Sequence, residues 1–386
     1  MDDRMGSVGT QAPSEAEGGG PEAVLDLARL RRQARRVLPR DIFDYLDGGA
    51  GHESTVRSNR RDFEACKLLP LVMRDVSAPD LATRLFGRDL PLPLGFSPTA
   101  LHRLVHPEGE AASARGARSA GLPLTISAMS SVAIEDVAAG SGHQNLWFQT
   151  YLFKDPAVAP ALVARAEAAG CKAVMVTAGC PVMGTRDRNL RNRFELPDSV
   201  GPAHFERRAV QDHNNPIASF HGAEIDPAAT WKDVAALAAR TRLPVLVKGI
   251  MNPADVAPAL DCGAAGLVVS NHGGRQLDTS ASTLSVLPAI AAKVDGRAAL
   301  LVDSGFRRGT DVLKALALGA DAILLGRPLL WALAIGGAAG VAEAIERIGS
   351  ELRVAMQLAG CPTLASLREN AGTLLAGRLD GAPGRS

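Results

Sequence analysis

Short apolar, β-branched runs alternate with alanine-rich amphipathic stretches along most of this chain, and the alternation occurs eight times. The runs are LPLGFSPT (92–99), LPLTISA (122–128), LWFQTYL (146–152), AVMVTA (173–178), PVLVKG (244–249), GLVVSN (266–271), ALLVDSG (299–305) and AILLGRP (322–328). Continuous apolar runs bounded by turn residues predict strands buried on both faces, as in a parallel sheet whose crossovers are helices. Residues 108–121, 156–170, 230–242 and 308–320 carry the polar and apolar spacing of such helices. Eight strands, each followed by a helix, is the arithmetic of an α/β protein of the (β/α)8 TIM-barrel class. A doubly wound open sheet would show the same pattern and differ only in closure.

The flanks read differently. Residues 1–22 are rich in Gly, Ser, Pro and acid, too poor in large apolar side chains to repay the entropy of folding, and predict a disordered tail. Helical spacing from Ala23 to Leu46 predicts an N-terminal helical extension, so that one barrel domain spans 23–372, followed by a loose C-terminal tail over 373–386. One crossover is far longer than the rest. The connection after the fourth run carries Asp187, Arg188, Arg191, Arg193, Glu206, Arg207, Arg208, His204, His213 and His221, and its length and polarity predict a lid over 187–229.

Composition narrows the function classes. The 386 residues include 42 basic and 41 acidic side chains, a net charge of +1, which offers no electrostatic footprint for a nucleic-acid partner. Five cysteines stand singly, without CxxC or zinc spacing; this predicts neither a disulfide framework nor a metal site and fits a reducing, cytoplasmic setting. Neither a run of about 18 apolar residues nor a secretory leader is recognisable, so no membrane partner is expected.

In a barrel the chemistry gathers at the C-terminal ends of the strands. Here those ends carry Pro98 and Thr99, Ser127, Gln149 and Tyr151, Thr177, Lys248, Ser270 to Arg275, Asp303, and Gly326 with Arg327. In SNHGGRQLD (270–278), His272 puts a titratable base beside the Arg275 cation on a glycine turn that allows close ligand approach. A histidine packed and satisfied by backbone is the plainer alternative. VDSGFRRG (302–309) and LLGRP (324–328) follow the seventh and eighth runs, where barrels often hold a phosphate. Ordinary turn glycines and surface arginines would account for either segment taken singly.

Taken together, DYLDGGAGHEST (44–55), SPTALHRLVHPEGE (97–110), WFQTYLFKD (147–155), LVKGI (246–250), SNHGGRQLD and residues 302–328 resemble the FMN-dependent 2-hydroxy acid oxidase and dehydrogenase family. That family includes glycolate oxidase, lactate oxidase, mandelate dehydrogenase and 4-hydroxymandelate oxidase, and the likeness, strongest toward the last, runs from about Ala34 to Leu358. The resemblance implies FMN at the barrel mouth, with Thr99, Ala100, Ser127, Gln149, Thr177, Lys248 and Ser270 around its ring and Asp303 near its ribityl chain. Gly305, Arg307, Gly326 and Arg327 would hold its phosphate. It further implies His272 as catalytic base, Arg186, Arg275 and Tyr45 on the substrate carboxylate, and Tyr151 facing the substrate hydroxyl. Substrate would be a 2-hydroxy acid, the acceptor O2 (favoured by Ala100) or another oxidant, and the assembly a homotetramer.

The chain departs from the family pattern at Gly179, which stands where the family carries the aspartate that orients the histidine. Water, a backbone carbonyl or Asp187 would have to substitute, and a Gly179→Asp change is expected to raise the rate. Met129 stands where glycolate oxidases resemble one another in carrying tryptophan, which implies room for a larger, aryl, mandelate-like side chain. Two other classes stay open on sequence: a flavin-binding protein with lost or redirected catalysis, and a non-redox barrel enzyme acting on a phosphorylated metabolite.

Overall fold

In a computed structural model, which describes residues 26–205 and 222–376, the eight runs form eight parallel strands. They are β1 (Leu94–Thr99), β2 (Leu124–Ser127), β3 (Leu146–Thr150), β4 (Val174–Thr177), β5 (Val245–Ile250), β6 (Gly266–Val269), β7 (Ala299–Val302) and β8 (Ala322–Leu325). Each pairs with its chain neighbours, and β8 pairs with β1 through Ile323↔Leu94, Leu324↔Gly95 and Leu325↔Phe96. That last register closes the barrel and removes the open-sheet alternative.

Strand periodicity explains both the core and the site. Side chains alternate across a strand, and outward Phe148, Val174, Val247, Leu267 and Ile323 pack beneath the helices. Inward Trp147, Met175, Leu246, Val268, Leu301 and Leu324 fill the barrel together with Leu85 and Leu90. Those two leucines belong to a hairpin, Thr83–Leu85 with Arg88–Leu90, that plugs the N-terminal end and that strand periodicity did not predict. Truncating one of these inward leucines would cost roughly 2–5 kcal/mol. Two residues further along four of these strands the next inward position is polar: Gln149 after Trp147, Thr177 after Met175, Lys248 after Leu246, Asp303 after Leu301. The same alternation that builds the core thus lays a polar floor at the barrel's C-terminal mouth.

The predicted helices appear at Gly109–Ser119, Val158–Ala168, Trp231–Ala238 and Gly309–Ala317. The N-terminal extension forms Leu27–Val37, capped by the Asp26 carboxylate on the Arg29 N–H, and Arg40–Asp47. The tail over 1–22 and residues 377–386 lie outside the described residues. The domain runs past its expected end at 372, because Leu375–Ala376 pair antiparallel with Lys67–Leu68. Arg327–Leu358 is long and apolar enough by composition to cross a membrane. It is nevertheless broken at Gly337 (φ 56°, ψ −141°) and buries Leu329, Trp331, Leu333, Val341 and Leu352 in the shell around the barrel, as a core helix does.

Candidate active site

The strand ends surround a cavity of about 1300 Å3, its open mouth included. Sixteen of the seventeen residues anticipated from sequence line it: Tyr45, Thr99, Ala100, Ser127, Gln149, Tyr151, Thr177, Arg186, Lys248, His272, Arg275, Asp303, Gly305, Arg307, Gly326 and Arg327. Ser270 does not. Its hydroxyl accepts from Lys248 Nζ (2.8 Å) and from the His272 N–H (3.1 Å), so it touches the ion-paired residues of the cavity.

The floor is a buried ion pair. Lys248 Nζ lies 3.0 Å from Asp303 Oδ2, and both side chains are almost wholly buried. Ser97 Oγ (2.6 Å) and Ser304 Oγ (2.8 Å) donate to the same carboxylate. Burial by itself would raise the Asp303 pKa, but Lys248 and the hydroxyl donors outweigh it and hold the group below the usual carboxylate range. Next to this pair, Ser127 Oγ donates to Gln149 Oε1 (2.9 Å), fixing which way the Gln149 amide faces.

Four arginines converge from three sides. Arg275 Nη1 donates to the carbonyls of Tyr45 (2.8 Å), Leu46 (3.2 Å) and Gly48 (2.9 Å) at the end of the Arg40–Asp47 helix. Arg327 donates to Gly48 O (2.8 Å) and Gly273 O (2.9 Å). Arg307 stacks over the Trp331 ring at 4.6 Å, and the buried Arg186 leaves Nε without a hydrogen-bond partner. Burial and mutual repulsion lower the proton affinity of this set: Arg275 falls well below its usual value, and Arg307 is pulled down to about 9 by burial, Arg327 and Arg60. Among the described residues Asp303 is the one carboxylate in the lining, and Lys248 already engages it.

Such a surplus of buried positive charge calls for anionic ligands. The phosphate end is suited to one. Gly305 (φ 93°) lies so close to Asn59 that a Cβ would meet the Asn59 carbonyl at 2.6 Å, and the helix from Arg327 begins at Gly326, which lines the cavity. The residues present therefore fit a bound mononucleotide, with Gly305, Arg307, Gly326 and Arg327 at its phosphate.

His272 sits on the glycine turn after β6 at φ 53°, with Gly273 and Gly274 also left-handed. The turn is tied down by Asn271, whose side chain exchanges hydrogen bonds with Asn59 (3.0 and 2.8 Å). The imidazole pKa is lowered well below 6.5 by burial first, then by Lys248, Arg186, Arg275 and Arg327. The ring is therefore a free base at neutral pH. Tyr151 is the reverse case, since burial pushes its phenol up and keeps it protonated.

Sequence reading missed several lining residues. Ser97 shares the inward face with Thr99 two positions on, so period-two counting along β1 was signal enough. Cys180, Met183 and Ile225 lie on connections, where no periodicity marks them. Neither Asp187 nor a carbonyl takes the place of the aspartate missing at Gly179; the atom near His272 Nδ1 is Cys180 Sγ, at 3.2 Å. Gly179 itself is pressed against the neighbouring strand, with a Cβ 3.1 Å from Gly249 Cα.

The described parts of the lid are anchored at both ends. Arg188 pairs with Glu53 (2.5 Å), Asp44 (3.3 Å) and Asp47 (3.4 Å), and Phe194 stacks on Tyr45 at 4.5 Å. His204 Nδ1 lies 3.0 Å from the Ala128 carbonyl while Nε2 accepts from the Ile134 N–H (3.0 Å), which makes Nδ1 the protonated nitrogen. Glu206, Arg207, Arg208, His213 and His221 lie outside the described residues.

Known proteins share this arrangement. Residues 34–373 match the model of the FMN-dependent dehydrogenase family. The chain is 45% identical to 4-hydroxymandelate oxidase of Amycolatopsis orientalis over 348 residues, which is 89% of this chain and 97% of the relative. It is 43% identical to L-lactate oxidase of Nostoc sp., covering 89% of this chain and 96% of that one. A crystal structure of mandelate oxidase with (S)-4-hydroxymandelic acid superposes with a TM-score of 0.87 at 44% identity, over 92% of this chain and 99% of its own. With a closed barrel, a phosphate cradle and a cation-lined mouth spanned by matches of this length, the chain belongs to the FMN-dependent dehydrogenase family as one of its FMN-dependent 2-hydroxy acid oxidases.

Proposed function

We propose that this enzyme oxidises a 2-hydroxy acid bearing a large, aryl side chain to the 2-keto acid, and that dioxygen takes the electrons from the flavin to give hydrogen peroxide. The observation that carries the reading is the cluster of buried cations, Arg186, Arg275, Arg307, Arg327 and Lys248, around one cavity whose lining holds a single carboxylate. Two anions balance it: a phosphate at Gly305, Arg307, Gly326 and Arg327, and a substrate carboxylate at Arg186 and Arg275 with Tyr45 beside them.

Bound FMN supplies the acceptor for the two electrons that leave the substrate α-carbon. Thr99, Ala100, Ser127, Gln149 and Thr177 would flank its ring and Asp303 its ribityl chain. Lys248 keeps a fixed positive charge beside the ring, where negative charge develops on reduction. Arg186 and Arg275 present planar donor pairs to the carboxylate. The protonated Tyr151 phenol would face the substrate hydroxyl, and His272 Nε2 would take one of the two protons lost, the α-carbon proton or the hydroxyl proton, both of which fit these residues. Met129, Met183 and Ile225 form an apolar wall that favours an aromatic substituent, in line with the mandelate-type relatives.

Cytoplasmic location and homotetrameric assembly belong to the same proposal, supported by the family resemblance and by five cysteines that are all free. An anaerobic screen of 2-hydroxy acids for flavin bleaching tests the reaction. Bleaching is expected with mandelate-like acids faster than with glycolate. A yellow protein that no 2-hydroxy acid bleaches would instead support lost catalysis, and a faster response to glycolate would discard the size argument.

A further inference from the structure

An imidazole that must accept a proton at Nε2 needs its own proton on Nδ1, because the neutral ring carries only one. In this chain the residue where an orienting acid is expected is Gly179, which has no side chain to offer. The polypeptide places another atom there. Ala178 and Gly179 both donate their N–H to the Lys248 carbonyl (2.8 and 3.4 Å), and Gly179 lies flat against Gly249, which fixes the turn after β4. From that turn the buried Cys180 reaches His272 Nδ1 at 3.2 Å, the one hydrogen-bond contact of that nitrogen among the described residues.

We propose that Cys180 is the positioning residue of His272, its sulfur accepting the Nδ1–H hydrogen bond that leaves Nε2 unprotonated and turned to the substrate. The inference rests on His272 being the base of the reaction proposed above. Were the thiol the donor instead, Nε2 would carry the proton and the ring could not act as that base. Burial pushes the Cys180 thiol up to about 11 against the pull of Lys248, Arg186 and Arg275, so the resting pair is a neutral thiol and a neutral ring. The charges that lower the imidazole's proton affinity are Lys248, Arg186, Arg275 and Arg327, and the cavity lining around them also holds the Asp303 carboxylate, paired with Lys248, and the Tyr151 phenol. A thiol orients the ring without adding the negative charge that a carboxylate would, so the imidazole keeps its low proton affinity. No proton passes to the sulfur; the substrate proton stays on Nε2 until the product leaves.

The test compares Cys180→Ala, Cys180→Ser and Cys180→Asp in the flavin-loaded protein. Nitrogen-15 NMR of the imidazole, assigned by loss of the signal in His272→Asn, should show the Nδ1-protonated tautomer in the parent and a mixture in Cys180→Ala. Anaerobic flavin reduction should fall about tenfold or more in Cys180→Ala with substrate affinity within about twofold, and Cys180→Ser should recover most of the loss. Cys180→Asp should move the acid limb of the reduction rate to higher pH, because a carboxylate raises the imidazole pKa. An Nε2-protonated parent, or a Cys180→Ala variant with unchanged tautomer and rate, overturns the proposal. If Cys180→Ala fails to fold, the near-isosteric Cys180→Ser and the parent tautomer carry the decision. A His272→Asn variant that still reduces its flavin refutes the base assignment instead, and the tautomer measurement separates the two failures.

Discussion

Replacing Lys248 by methionine would strip the buried Asp303 carboxylate of the one cation within salt-bridge distance among the described residues. The pair is 3.0 Å apart, with side-chain exposures of 4% and 7%, so solvent cannot substitute for the lost ammonium. The hydroxyls of Ser97, Ser304 and Ser270 still contact the carboxylate, but hydroxyl dipoles do not neutralise a charge. Removing one partner of such a pair costs about 3–5 kcal/mol, chiefly the penalty of an uncompensated buried ion. Urea denaturation of the flavin-stripped protein at pH 7 should show that loss, and Lys248→Met/Asp303→Asn should regain most of it. The pH dependence has a definite sign. In the parent, Asp303 has a lowered folded-state pKa, so its contribution is present above the unfolded carboxylate value and is lost as pH falls through the folded one. In Lys248→Met, burial raises that pKa, so the deficit should shrink on acidification as the carboxyl takes up its proton. A single variant within about 1 kcal/mol of the parent, or a double variant no better than the single, would refute the electrostatic account of this floor.

Three further outcomes follow from the geometry. His272→Asn should fold and hold flavin yet lose about 10²- to 10⁴-fold in the rate of anaerobic flavin reduction, measured by stopped flow at saturating substrate. Arg275→Lys and Arg186→Lys should each raise substrate KM by about tenfold or more, because lysine keeps the charge and loses the planar donor pair; unchanged KM in both places the carboxylate elsewhere. His143 is buried with Nε2 2.9 Å from the Leu122 carbonyl, and burial lowers its pKa to about 4. Its folded value lies below the unfolded 6.5, so the stability it confers is complete above pH 6.5 and is lost as pH falls toward 4, by at most about 3 kcal/mol. Denaturation midpoints for His143→Gln should therefore decline less steeply over that interval than those of the parent.

The sequence by itself determined the eight strands and the four helices read between them, each of which rests on local regularity, while residues such as Tyr45 and Arg186 were named only through the family resemblance. An apolar run marks a strand, and period two then places Gln149, Thr177, Lys248 and Asp303 on the same side as the core residues before them. Closure was not legible, because the pairing of Leu94 with Ile323 joins the two ends of the sheet and leaves no local trace. Nor was the hairpin of Thr83–Leu90 that fills the opposite end, whose short strands are defined by what they cover. Only the tertiary structure decided that the Ser270 hydroxyl accepts from Lys248 Nζ and that residues 327–358 form a buried helix broken at Gly337. It also decided that a cysteine on the turn after β4 meets His272 across 92 positions of sequence. Contacts of that kind depend on where turns bring distant strand ends together, and no pattern within either segment encodes them.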